Sequence, residues 1–242
     1  MSKLFELLTE EFYLWETLTA SSIESDDYNL IATYPSNDVG FLNIAIKKSS
    51  QFKYTSNELK DLQDFFNSKE TKGNIVIEYL ESRRDDAIEN SEYFFKGAIE
   101  AQNVPSGDIE VLETDDYLMF SECIQNGFEY PEGFASGFAK KMESVSSKME
   151  CRFFLLKYKG EVASITSFFK TPKNNYYCMM NTSTMHKFRK RGLSEILISY
   201  SHSTLNGDVF ARTNNPHMAS LLRKMNYSAG DRFQIVPVDA LT

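Results

Sequence analysis

The densest run of cations in this chain is FRKRGLSEIL, residues 188–197, where Arg189, Lys190 and Arg191 stand directly before Gly192. An apolar period of Leu193, Ile196, Leu197 and Tyr200 follows and predicts a helix that starts at the glycine. The first turn of a helix leaves backbone N–H groups without intrahelical acceptors and carries partial positive charge. Glycine there has no Cβ to hold an anion off the backbone, the cations add full charges, and Ser194 is small enough to leave the approach open. The chemistry written here is diphosphate binding. A P-loop would need Gly-Lys-Ser/Thr after a longer glycine-bearing loop, and a dinucleotide fingerprint would need further glycines. Four residues taken alone read more simply as a solvated basic turn; a strand before them and a helix after them weigh the other way.

Those flanking elements come from the surrounding pattern. NNYYCMMNTST (174–184) predicts the strand that feeds the turn, GDVFART (207–213) the strand after the helix, and 216–225 a further short helix. Asn215-Pro216 is an N-cap and first-turn pair in its own right, which explains the asparagine as well as any ligand contact does. Upstream, 108–113 predicts a strand, 115–126 and 134–147 helices around the loop NGFEYPEG, and Lys159-Gly160 a hairpin between two apolar strands. FQIVPV (233–238) predicts a last strand. In the first part of the chain, Phe5, Leu8, Phe12 and Trp15 recur at helical spacing. Strands are predicted over 28–34 and 39–46 about the turn PSND, then a capping box Thr55–Glu58 ahead of Leu59, Leu62, Phe65 and Phe66. A strand over 74–80 and a helix over 90–102 complete this part, and the turn-rich NVPSG (103–107) reads as a boundary between domains 1–104 and 105–242. Hairpins followed by strand–helix–strand units predict an α/β (α+β) fold with a mixed sheet flanked by helices.

Composition excludes several function classes. The net charge is −8, and residues 1–104 hold 10 Lys+Arg against 19 Asp+Glu while 105–242 hold 16 against 15. Such a surface repels phosphate backbones outside one short cluster, so no nucleic-acid partner is expected. The acidic first region is suited either to solubility or to drawing cationic molecules inward. Three scattered cysteines, Cys123, Cys151 and Cys178, write neither a disulfide framework nor a CxxC metal site. His202 and His217 have no ligand spacing, no metal site is expected, and no GxSxG nucleophile elbow is present. No apolar run has the length of a membrane span, and Glu6, Glu10 and Glu11 break the start where a signal peptide would be apolar. A reducing cytoplasm is the expected setting.

Taken with their spacing, two blocks resemble the GNAT superfamily of acyl-CoA-dependent N-acyltransferases. Arg189-Lys190-Arg191-Gly192-Leu193-Ser194 matches Arg/Gln-x-x-Gly-x-Gly/Ala, with Ser194 in the last place, and Thr184-x-His186-x-Phe188 matches Val-x-Pro-x-Tyr with His for Pro. TNNPHMASLLRKMNY matches Asn-x-x-Ala-x-x-x-Tyr-x-x-x-Gly-Phe at Asn215, with Leu222 where Tyr is common and Asn226-Tyr227 for Gly-Phe. The resemblance covers 105–242 and implies acetyl-CoA as cosubstrate, with its pyrophosphate on Arg189–Ser194. It places the pantetheine arm along the backbone of Thr182, Ser183 and Thr184, and Asn215 near the cofactor. It further implies direct attack by an acceptor amine, of a small molecule or a protein, with an oxyanion held by backbone N–H groups. Glu129, Tyr130, Tyr177 and Asn181 are the candidates for the base, and Tyr227 or a water for the acid that Leu222 does not supply. His186 adds to the anion site. Residues 1–104 would be a reduced lobe of similar ancestry. An acyl-CoA-binding module without turnover is the alternative function; an interaction protein without a cofactor would leave the basic turn unexplained.

Overall fold

The computed structural model describes residues 3–19, 22–24, 26–32, 43–49, 52–78, 87, 89–104 and 107–241. These form two compact units: residues 1–94, 212–220 and 228–242, and residues 95–211 with 221–227. The division is not the two-segment one that NVPSG suggested, because the C-terminal segments belong to the first unit.

The first unit opens with α1 (Lys3–Thr19), β1 (Ser22–Glu24), β2 (Tyr28–Ala32), β3 (Asn43–Lys47), α2 (Ser56–Ser68) and β4 (Asn74–Glu78). The turn PSND lies outside the described residues. β1, β2 and β3 pair antiparallel in succession, and α2 carries the chain over to β4, which lies parallel to β3 in the register Ile44↔Asn74. Leu59, Leu62 and Phe66 on one face of α2 pack with Leu30, Ala45, Ile75 and Ile77 of the sheet. On α1, Leu8 and Phe12 are buried as their spacing predicts. So is Glu11, whose carboxylate accepts from Arg212 Nε at 2.9 and 3.1 Å and from the Tyr93 hydroxyl. A buried carboxylate persists only with such partners.

The helix expected over 90–102 does not form. Glu89–Lys96 is strand β5, and the chain from Gly97 to Val104 has no regular structure. Ser91, Glu92, Tyr93 and Phe94 are buried in succession, as a strand covered on both faces requires, so no period of two was visible.

The second unit contains β6 (Ile109–Glu113), α3 (Tyr117–Phe128), α4 (Phe134–Ser146), β7 (Cys151–Tyr158), β8 (Glu161–Lys170), β9 (Tyr176–Thr184), α5 (Leu193–Ser203) and β10 (Asp208–Thr213). β6, β7, β8 and β9 pair antiparallel in chain order, and α5 crosses to β10, parallel to β9. Lys159 (φ 53°) and Gly160 (φ 82°) make the tight β7–β8 hairpin. The closing elements are α6 (Pro216–Lys224) and β11 (Ser228–Pro237), the latter antiparallel to β4 in the first unit's sheet. In each unit an antiparallel set, β1 to β3 in the first and β6 to β9 in the second, is followed by a helix that crosses to a parallel strand.

The predicted capping box on α2 is complete. Thr55 Oγ1 accepts from Glu58 N at 3.3 Å, and Glu58 Oε2 accepts from Thr55 N at 2.7 Å. The other carboxylate oxygen meets Lys47 Nζ at 2.6 Å and the Tyr28 hydroxyl at 2.9 Å. The Lys47 ammonium, then the Thr55 N–H, hold the Glu58 carboxyl down to about 2. A carboxylate with a lowered folded pKa stabilises above its unfolded value, and that contribution fades as pH falls through the folded one. Urea unfolding of the wild type should therefore lose stability from about pH 4.5 downward, and Glu58→Gln should flatten that limb; an unchanged acid limb would contradict the assignment.

Candidate anion-binding turn and cleft

β9 and β10 pair only from Tyr176↔Asp208 to Met179↔Ala211, whereas β9 runs on to Thr184. On its other side β9 carries a bulge. Ser183 pairs with Ile165 and Met180 with Ser167, so Asn181 and Thr182 together face Thr166. Asn181 has φ 54°, and a bulge of this kind leaves one backbone unit outside the ladder and turns the strand.

Hydroxyls from β8 hold the distortion. Ser167 Oγ donates to Met180 O at 3.1 Å and accepts from Asn181 Nδ2 at 3.2 Å. The Thr166 and Thr182 hydroxyls are 2.7 Å apart. Ser164 Oγ donates to Ser183 O at 2.8 Å and lies 2.9 Å from Thr184 Oγ1. All three β8 residues have no exposed surface. They were missed in the sequence; the available signal was three hydroxyls within the apolar run EVASITSFFK.

Beyond Thr184 the chain makes one 3₁₀ turn, His186–Phe188, anchored by the buried Phe188. Arg189 is extended, Lys190 is left-handed at φ 63°, and Gly192 is left-handed at φ 73°, ψ 8° as the N-cap of α5. No side chain caps this helix. Its first backbone bond, Ile196 N to Gly192 O, spans 3.3 Å. A Cβ added at Gly192 would meet nothing within 4 Å, so the space before the helix is open. Successive N–H groups in such a turn form a concavity suited to anions.

Three contacts fix the turn. Arg189 Nε donates to Thr184 O at 3.0 Å and Nη2 to Gly127 O at 3.1 Å, while Thr184 Oγ1 and Ser194 Oγ are 2.6 Å apart. Gly127, in the last turn of α3, packs so closely on β9 that a Cβ there would fall 2.0 Å from Ser183 Oγ. The other cations are distributed: Lys187 pairs with Glu161, Arg191 lies 5.5 Å from the Tyr158 ring centroid, and Lys190 is exposed. Leu193 is buried as the anchor of α5. Beside the turn opens a pocket of about 380 Å³ lined by Gln102, Asn103, Arg191, Gly192, Glu195 and Tyr200.

The acid–base candidates separate into two groups. Glu129, the left-handed C-cap of α3, places Oε1 2.9 Å from His186 Nε2, and Tyr130 beside it is 46% exposed. Asn181 sits at the bulge. Tyr177 is buried in the paired half of β9 with its hydroxyl on Glu150; burial and then that carboxylate push it up to about 12, and the bond holds Glu150 low. Tyr227 is buried 2.9 Å from His202 Nδ1; burial raises the phenol and, with Lys96 second, lowers His202 to about 4. Neither tyrosine has a hydroxyl free of a protein partner. Leu222 is wholly buried. Asn215 is the cap its sequence predicts: Oδ1 accepts from His217 N at 2.9 Å and Met218 N at 3.4 Å.

Among the described residues no three His, Cys, Asp or Glu side chains gather as metal ligands, and no helix is long and apolar enough to cross a membrane. No family model matches the sequence, and no curated protein matches it. Solved structures do match in three dimensions. A GCN5-related N-acetyltransferase from Kribbella flavida superimposes with a TM-score of 0.67 at 10% identity, over 98% of this chain and 96% of that one. A functionally unknown conserved protein from Staphylococcus epidermidis gives 0.63 at 12% identity over 89% and 92%, and a tandem GNAT protein from the clavulanic acid biosynthesis pathway 0.58 at 12% over 87% and 78%. The chain has the GNAT fold.

The braced turn carries its own prediction. Arg189→Lys keeps the charge but cannot bridge two carbonyls from one planar group. It should lower stability by about 1–2 kcal/mol in urea unfolding, while Lys190→Gln stays within about 0.5 kcal/mol of wild type.

Proposed function

We propose that this protein is an N-acyltransferase that moves an acetyl group from acetyl-CoA to a primary amine. The single observation that carries this reading is the open, uncapped N-terminus of α5, framed by left-handed Lys190 and Gly192, at the end of a strand that has bulged and left its parallel neighbour. The GNAT fold supports it.

In this reading the backbone of Arg189–Ser194 receives the pyrophosphate, with Lys190 and Arg191 as the nearby charges and Arg189 as the brace of the turn. Thr182, Ser183 and Thr184 border the pantetheine arm, and Asn215 adds to the cofactor side. The bound thioester supplies an activated acyl carbon. A new C–N bond forms as the C–S bond breaks, the amine loses a proton, and the sulfur leaves as thiolate or gains that proton. We assign proton removal to Glu129 with His186, the accessible acid–base pair two to three residues from the elements of the turn, with Tyr130 beside it. Leu222 offers no proton to the sulfur, but a thiol of pKa ~8.5 is a tolerable leaving group near neutral pH. The first unit holds no second site in this reading: its corresponding helix, α2, has its first-turn donors engaged by Thr55 and Glu58. That unit is then a reduced lobe with the same helical crossover to a parallel strand.

Acetyl-CoA at about 100 times its Kd should raise unfolding stability by about 2.7 kcal/mol, seen as a thermal shift with one equivalent bound per chain. Gly192→Glu, which sets a carboxylate at the phosphate seat, should abolish the shift while circular dichroism shows a folded chain; Lys190→Glu with Arg191→Glu should weaken it without touching the left-handed glycine. Retained affinity in folded variants would refute the site. Glu129→Gln should lower thiol release about 10²–10⁴-fold with the KM for acetyl-CoA unchanged. Binding without amine-dependent thiol release would instead favour the second reading, an acyl-CoA-binding module, which the buried Leu222 favours.

A further inference from the structure

β10 ends its pairing with β9 at Ala211↔Met179, although the strand itself runs on to Thr213. The residue at which pairing stops is Arg212. Successive side chains of a strand alternate between its faces, so Arg212 shares a face with Phe210. In the paired part that face is apolar: Phe210 and Cys178 are buried, and the Tyr176 ring centroid lies 6.5 Å from that of Phe210. One further step of the ladder would set Arg212 opposite Met180, on a face that offers a guanidinium nothing to bond.

Arg212 is tied elsewhere. Its Nε donates to both carboxylate oxygens of Glu11 on α1, at 2.9 and 3.1 Å, and the Tyr93 hydroxyl of β5 donates to the same carboxylate. Side-chain exposure is 11% for Arg212 and 7% for Glu11, so the pair lies almost out of water. All three residues belong to the first unit, and the division of β10 between the units falls between Ala211 and Arg212, where the ladder with β9 stops. Glu11 stands beside the buried Leu7, Leu8, Phe12 and Leu14, a setting in which an apolar residue would pack as well. A buried ion pair gains a fold little over a well-packed apolar one. What it supplies here is direction, because a guanidinium and a carboxylate meet in a fixed geometry. On β9 the hydroxyls of Ser164 and Ser167 draw the Ser183 and Met180 carbonyls towards β8. The Glu11–Arg212 tie is the counterpart on β10.

We infer that Glu11, Arg212 and Tyr93 are positioning residues: their tie stops the β9–β10 ladder at Ala211 and so leaves the backbone of β9 from Met180 to Thr184 open to the arm of the acyl donor. This rests on the acyltransferase reading for the identity of the donor; the stopping of the ladder does not.

The test removes the tie without leaving a buried charge. Glu11→Met with Arg212→Met replaces the ion pair by apolar side chains, an exchange that folds usually accept, and a urea midpoint at or above that of the wild type should show it. Without acetyl-CoA, the amides of 180–182 and 212–213 should exchange with deuterium more slowly in this variant, as the ladder extends. Calorimetric titration should show the Kd for acetyl-CoA raised about tenfold or more at unchanged stoichiometry, with the affinity for inorganic pyrophosphate unaltered because the basic turn is intact. Tyr93→Phe should shift the Kd in the same direction by less, and Arg212→Lys beside an intact Glu11 should recover most of the affinity. Unchanged or faster exchange in the double variant would overturn the inference. So would an unchanged Kd, or a lowered stoichiometry at the wild-type Kd, which is what a merely structural pair would give. Slower exchange in the variant, with no acetyl-CoA binding to the wild type, would sustain the tie and refute the acyltransferase reading.

Discussion

A strand that must both belong to a sheet and present its backbone to something else meets a constraint: a backbone unit in the ladder has no bond left to give. β9 resolves it by a one-residue slip. Asn181 and Thr182 share a single partner on β8, and past Met179 the pairing with β10 ends. Such a slip is costly if the carbonyls it displaces are left unmet. Ser164 and Ser167 donate from the buried side to the Ser183 and Met180 carbonyls at 2.8 and 3.1 Å, and the Thr166 hydroxyl meets that of Thr182 at 2.7 Å. The rest of the site depends on that bracing, because the direction in which β9 exits fixes where the basic turn falls.

The cations beside Gly192 then have unequal roles. Arg189 acts inward, tying Thr184 O to Gly127 O and so joining the ends of α3 and β9 through one planar group. Arg191 rests against Tyr158, and Lys190 adopts a left-handed backbone that a lysine takes only at some cost. A merely solvated basic turn has no need of strained residues or of a guanidinium tied to two backbone carbonyls. A turn shaped to hold backbone N–H groups in one direction needs both.

Much of this was legible because it is local. The capping box at Thr55–Glu58, the Lys159-Gly160 hairpin, the Asn215 cap and the helix start at Gly192 each depend on residues within a few positions of one another, and each forms as its residues require. What was not legible is non-local. The register slip at Asn181 is defined only by its partners on β8. β11 pairs with a strand some 150 residues earlier, Phe233 against Glu78, so no composition break at 103–107 could reveal where the units divide. β5 was hidden for another reason: four consecutive buried residues, two of them polar, erase the alternation that marks a strand with one wet face. The sequence places Gly127 in the loop NGFEYPEG; it lies in the last turn of α3, and only the approach of Ser183 shows why a side chain cannot stand there.

The two crossover helices show what distinguishes a structural turn from a receptive one. Both follow the last strand of an antiparallel set and lead to a strand parallel to it. At α2 the first turn closes on itself: Thr55 and Glu58 satisfy each other's backbone, and Lys47 neutralises the carboxylate from the preceding strand. At α5 the equivalent place holds glycine and no side chain reaches the first N–H groups; its first-turn carboxylate, Glu195, pairs with Lys224 at 2.5 Å and does not cap the helix. Glycine is only a few tenths of a kcal/mol poorer than serine or threonine as an N-cap, so leaving α5 open costs the fold little. An external anion would gain the whole field of the helix end, whereas at α2 it would have to displace a carboxylate already held by three donors. The same topology is closed by one residue pair at α2 and left open by one glycine at α5.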